Sequence, residues 1–143
     1  MLTITREHKQ KLIEHARQAS PNECCGILAG NDDSATHFYP ITNTSTNPRR
    51  YLMDPQQHLN VTRESREHGR ELLAFYHSHP NGPTNLSETD INMAQKSGWA
   101  GEDIYYVLVS LKVPDEPVVK AFYILANGTV AEKPLAFKST SDS

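Results

Sequence analysis

Apolar and polar positions follow two periods along the chain. Between Thr5 and Ala19, Leu12, Ala16 and Ala19 recur at three- and four-residue spacing among charged neighbours, which predicts a helix that Ser20-Pro21-Asn22 ends. Glu23 to Ala29 is a short, mostly apolar run closing on Gly30-Asn31-Asp32-Asp33. It predicts a strand and a turn, with Thr36 to Thr42 as the returning strand. Asn43 to Arg50 is polar and reads as a loop. Asp54 can cap a second helix and Pro55 suits its first position, and this helix runs to about His68. Glu71 to His77 predicts a buried strand, and Pro80 to Leu86 a loop. A third helix begins at Ser87-Glu88-Thr89-Asp90 and ends near Gly98. Ile104 to Leu111 is the strongest strand signal, pairing with Val118 to Leu125 through a turn at Val113 to Pro117. A weak last strand, Thr129 to Glu132, follows the turn dipeptide Asn127-Gly128. Strands mixed with three helices predict an α/β domain, a mixed β-sheet flanked by helices.

The chain has 143 residues, enough for one domain with its own core. That domain is expected over 1–137, with a frayed tail over 138–143. A net charge of -3 provides no basic field for nucleic acid. No run approaches the roughly 20 apolar residues of a spanning helix. Cys24 and Cys25 are neighbours and cannot form a disulfide framework. Strand alternation sends them to opposite faces as small core residues. The polar N-terminal stretch has no apolar signal core, so a reducing, cytoplasmic setting is expected. Trp99 is expected to pack. Tyr105 and Tyr106 are expected to point to opposite faces, one of them partly exposed. His8, His15, His37, His58 and His68 read as ordinary surface or helix residues.

The candidate chemistry lies in Phe75-Tyr76-His77-Ser78-His79-Pro80 and the segment after it. His77 and His79 stand two apart at a strand end, so their side chains leave one face. Asp90 follows after ten intervening residues and enters from the first turn of the next helix. Two histidines, a carboxylate and a water make a zinc site with one exchangeable position, the ligand count of a catalytic site. Each fragment alone has an ordinary explanation. His-x-His pairs arise by chance, and Ser87-x-x-Asp90 matches a capping pattern. Together they form one geometric unit. Glu23, ahead of Cys24-Cys25-Gly26-Ile27-Leu28-Ala29-Gly30, is either a solvated carboxylate at a strand start or a base. As a base it takes a proton from the water of such a site and passes it to a leaving nitrogen.

Glu23, His77-x-His79-Pro80 and Ser87-x-x-Asp90 together resemble the JAMM (MPN-plus) zinc metalloprotease motif. The surrounding Pro-x-Glu-x-Cys-Gly-x-Leu-x-Gly pattern resembles the small prokaryotic branch, with Cys24 a minor variation. The likeness runs from the first helix to about residue 125. It implies a single JAMM (MPN, cytidine-deaminase-like) domain. It also implies one zinc ion per chain on His77, His79 and Asp90, with Glu23 as general acid/base and Ser87 stabilising the oxyanion. Family members cut peptide or isopeptide bonds after the Gly-Gly tail of ubiquitin-like proteins. Relatives in the small branch process sulfur carriers, so a ubiquitin-like sulfur-carrier protein is the implied substrate. An exposed strand edge would pair with such a tail. Arg49 and Arg50 either attract an acidic partner or are solvated loop charge. Whether the protein is a monomer or a homodimer is left open.

Three competing readings share parts of the motif. A non-catalytic MPN-type scaffold lacks the ligand set that this chain carries. A RadC-like domain shares His-x-His-Pro and Ser-x-x-Asp, but usually follows a further N-terminal helical region. A zinc deaminase needs His-x-Glu and a later Pro-Cys-x-x-Cys, and the cysteines here stand elsewhere.

Overall fold

A computed structural model describes residues 1–139. Within them the chain forms β1 (Leu2–Thr5), α1 (Arg6–Ala19), β2 (Cys25–Asn31), β3 (Ser34–Ile41), α2 (Pro55–Glu67) and β4 (Glu71–His79). It continues through α3 (Glu88–Ser97), β5 (Tyr105–Ser110), β6 (Val118–Ile124), β7 (Val130–Lys133) and β8 (Leu135–Lys138). The expected helices form where their caps are. Thr5 accepts from the His8 amide to start α1, Asp54 from the Gln56 and Gln57 amides to start α2, and Gly98 ends α3 in the left-handed region. These contacts satisfy amides that a helix start leaves free.

The strands make one mixed sheet in the order β7-β6-β5-β4-β2-β3-β1-β8. β4 and β5 are parallel, joined through α3, whereas β2 runs antiparallel to both β3 and β4. The β2–β3 turn forms at Asp32 and Asp33, both at positive φ (53° and 59°), as a two-residue hairpin turn demands. Gly30 therefore belongs to β2 and not to the turn.

Two apolar clusters cover the sheet. On one face, Leu12, Ile13 and Ala16 of α1 pack with Cys24, Leu28, Tyr76, Tyr105, Val107 and Val109. On the other, Val61 of α2 and Ala94 of α3 pack with Cys25, Ile27, Phe75, Tyr106 and Leu108. Cys24 and Cys25 are free and buried on opposite faces, and burial pushes both thiols up to about 12. Tyr105 and Tyr106 also face opposite ways, but both are buried, so neither is the partly exposed side chain expected.

Two strands were not anticipated. β1 and β8 are four residues each, too short for a periodic signal. They pair in parallel with each other, and β1 pairs in parallel with β3. Lys138 lies within β8, so any tail begins later, and residues 140–143 lie outside the described residues. Only Pro134 separates β7 from β8, yet these strands end opposite edges of the sheet. The sheet must therefore curl until its edges come close.

Gly26 makes the closest approach within the core. A Cβ there would lie 2.2 Å from the Tyr76 ring, and Tyr76 is fully buried with its hydroxyl 2.7 Å from Nδ1 of His15. The Gly26→Ala variant should lose about 3 kcal/mol of stability through overpacking, measured by urea denaturation. An unchanged midpoint would contradict this packing.

Candidate metal centre and active site

β2 begins where antiparallel β4 ends, and this pairing assembles the site. Cys25 stands opposite His77 in the ladder. One residue earlier, the Cys24 amide donates to Oγ of Ser78 at 2.8 Å, and the Ser78 amide donates to the Cys24 carbonyl at 3.2 Å. Glu23 is thereby held at the tip of β4, beside the two histidines that flank Ser78. α3 delivers the remaining group. Ser87 Oγ accepts from the Asp90 amide (3.0 Å), and the Ser87 amide donates to Oδ2 of Asp90 (2.8 Å). This reciprocal capping box fixes the carboxylate while starting the helix.

Nε2 of His77 and Nε2 of His79 lie 3.1 and 3.0 Å from that same Oδ2. The three residues are almost wholly buried, and their ligand atoms all lie within 4.8 Å of one another. Nδ1 of His79 is 3.0 Å from the Pro83 carbonyl. A carbonyl only accepts, so Nδ1 carries the hydrogen there, and the Nε2 lone pair of a neutral ring faces Oδ2. Acceptors aimed at one another across such a distance need positive charge between them. A proton or a metal ion meets that need, and two imidazoles with a carboxylate are a familiar donor set for a borderline-soft divalent ion. The residues fit a metal. With a proton between each ring and Oδ2, the burial that alone would raise the Asp90 carboxyl is outweighed by the His77 imidazole, the hydrogen bonds from both rings and the Ser87 amide. They hold the group well below the usual carboxylate range. Tyr51 covers the centre from one side, its ring stacked on His77 at 4.7 Å.

Glu23 is 4% exposed and its Oε1 is buried without a hydrogen-bond partner among the described residues. Burial pushes its carboxyl up from an ordinary 4.5 to about 7. His77 draws it down, Asp90 pushes it up, and His79 draws it down less strongly. Glu23, His79 and Ser87 line one cavity of about 530 Å³, together with Pro21, Arg49 and Asn81. The five residues singled out in the sequence therefore come together in space.

Sequence reasoning missed Ser78, Tyr51 and Asn43, the residues that hold the others. Asn43 Nδ2 donates to the Glu23 carbonyl at 2.9 Å. Ser78 had a signal, since it sits between the two histidines. Asn43 and Tyr51 lie in or beside a loop whose path no periodicity describes.

The fold is that of a JAB/MPN-type domain, and His77, His79 and Asp90 form a group that could hold a metal ion. A model of prokaryotic homologs of the JAB domain matches residues 5–130, and the chain belongs to that family. It is a hydrolytic enzyme of the JAMM type. It is 31% identical over 137 residues to the CysO-cysteine peptidase of Mycobacterium tuberculosis, covering 94% of this chain and 90% of that protein. It is 30% identical over 107 residues to the desampylase of Haloferax volcanii, covering 70% of this chain and 75% of the relative. A solution structure of a Desulfitobacterium hafniense protein superposes with a TM-score of 0.83 at 34% identity, covering 97% of this chain and 94% of that one. A JAB1/MPN domain protein from Archaeoglobus fulgidus shares the fold, with a TM-score of 0.62 at 19% identity over 96% of this chain and 100% of that one.

Two outcomes follow from this geometry. His79→Ala should weaken zinc binding on the order of a hundredfold or more by removing one of three ligands, measured by competition with a chromophoric chelator. Unchanged affinity would remove His79 from the centre. In chelator-treated protein, Glu23→Gln should stabilise the fold by about 2 kcal/mol at pH 8 and by little at pH 4. The sign follows from a folded-state carboxyl raised above its unfolded value. The native protein keeps its full stability below the unfolded value of 4.5 and loses part of it as pH rises through about 7. Thermal melts of both proteins at the two pH values measure it, and an equal difference at both would contradict the buried, raised carboxyl.

Proposed function

We propose that the protein is a zinc metalloprotease that hydrolyses a peptide or isopeptide bond after the C-terminal Gly-Gly of a ubiquitin-like sulfur-carrier protein. The observation that carries this reading is the convergence of both imidazole Nε2 atoms on one Asp90 oxygen, with an unpartnered Glu23 carboxyl in the adjoining cavity. The relatives named as a CysO-cysteine peptidase and a desampylase support the substrate class. A relative from Thermus thermophilus named as a probable TtuB-protein conjugate cleaving protease, 32% identical over 96 residues, supports it further.

His77, His79 and Asp90 would hold the zinc ion. When bound, zinc supplies a Lewis acid and brings the pKa of water to about 7. Glu23 would accept the proton released as water attacks the scissile carbonyl and deliver it to the leaving nitrogen, so that the amide yields a carboxylate and an amine. A carboxyl poised near 7 suits both halves of that transfer. Ser87 Oγ accepts from the Asp90 amide, which leaves its own hydrogen to donate toward charge developing on the carbonyl oxygen.

Glu23→Gln should retain zinc and lower kcat on the order of a thousandfold or more. Ser87→Ala should retain zinc and lower kcat on the order of a hundredfold. Mass spectrometry of a carrier bearing a C-terminal extension reads both, beside metal analysis of each variant. Normal turnover by Glu23→Gln would overturn its role, and normal turnover by Ser87→Ala would reduce Ser87 to a helix cap.

A further inference from the structure

β5 supplies a buried hydroxyl that the proposed chemistry does not use. The strand runs parallel to β4 with Ser110 opposite His79 in the ladder, and the Leu111 amide donates to the His79 carbonyl at 3.1 Å. Ser110 is 1% exposed. Its Oγ accepts from the Lys112 amide at 3.3 Å and lies 3.1 Å from the Gly82 carbonyl. An amide N–H only donates and a carbonyl only accepts, so the hydroxyl hydrogen is committed to Gly82. Gly82 belongs to the segment between β4 and α3, which contains neither helix nor strand.

That segment carries the group that orients His79. Pro83 follows Gly82, and its carbonyl is 3.0 Å from Nδ1 of His79. The Gly82 main chain lies against the same side chain, since a Cβ there would be 3.0 Å from Cβ of His79. Among the described residues, the hydrogen bonds of the main chain over 80–86 are the one to Ser110 and the one to His79. The bond to Ser110 is therefore what ties the Pro83 carbonyl to β5. A metal-binding imidazole takes its tautomer and direction from the partner of its other ring nitrogen. A carbonyl that is itself unheld would fix neither.

We infer that Ser110 is a positioning residue that holds the Gly82–Pro83 main chain so that the Pro83 carbonyl fixes the His79 ring for metal binding. The inference rests on His79 as a metal ligand in the reading above and adds the residue of β5 that prepares it. Two measurements on zinc-loaded protein test it. Competition with a chromophoric chelator gives the affinity, and nitrogen-resolved proton NMR follows solvent exchange of the His77 and His79 ring hydrogens. Ser110→Ala should weaken zinc binding at least about tenfold. It should also speed exchange of the His79 Nδ1 hydrogen at least about tenfold, with the His77 ring signals unmoved. Ser65→Ala removes an equally buried hydroxyl from α2, one without a hydrogen-bond partner among the described residues, and should change neither reading. Gly82→Ala reaches the same contact from the loop, where its Cβ should displace the His79 ring and weaken zinc by a similar factor. Native affinity and native His79 exchange in Ser110→Ala overturn the inference and leave the metal centre intact. A loss that moves both rings alike, or that Ser65→Ala shares, does the same, as does native affinity in Gly82→Ala. Native protein that binds zinc without His79 removes the metal centre and the inference with it.

Discussion

Two imidazole nitrogens and a carboxylate oxygen meet at 3.0–3.1 Å in a water-poor pocket, and positive charge must sit among them for the arrangement to hold. The rest of the site is subordinate to that constraint. The strand spacing of His77 and His79, the capping box that turns Asp90 inward, and the Pro83 carbonyl that orients His79 all serve the same convergence. A buried set of acceptors is costly without a cation and stable with one.

The sheet divides the molecule between support and chemistry. The α1 face is an apolar cluster that includes Tyr76, which stands opposite Gly26 in the β2–β4 ladder and leaves no room there for a side chain. The α2 and α3 face carries the histidines, and Tyr51 closes over His77. Because β2 and β4 run antiparallel, the first residues of one lie at the last residues of the other. This pairing brings Glu23 to the histidines, although more than fifty positions separate it from His77 in the chain.

The strong periodic segments were legible before any coordinates. α1, α2, α3 and the strands from β2 to β7 stand within a few residues of where spacing and capping placed them. β1 and β8 were not legible, because four residues carry no period and their pairing depends on the curl of the whole sheet. The site divided along the same line. His77, His79, Asp90, Glu23 and Ser87 announce themselves by residue type at fixed spacing. Asn43 and Tyr51 act through tertiary contacts made by a loop, and nothing local in the sequence marks them. His15 and His58 read as ordinary positions but are half-buried, with His15 on Tyr76 and His58 against Trp99 and Phe75.

X-ray absorption at the zinc edge of the loaded protein tests the central claim most directly. Two imidazole shells with further nitrogen or oxygen scatterers at about 2.0–2.1 Å are predicted for a His77, His79 and Asp90 centre. A sulfur shell near about 2.3 Å, which would draw the ion to Cys24 or Cys25, would contradict the account, as would a spectrum with a single imidazole.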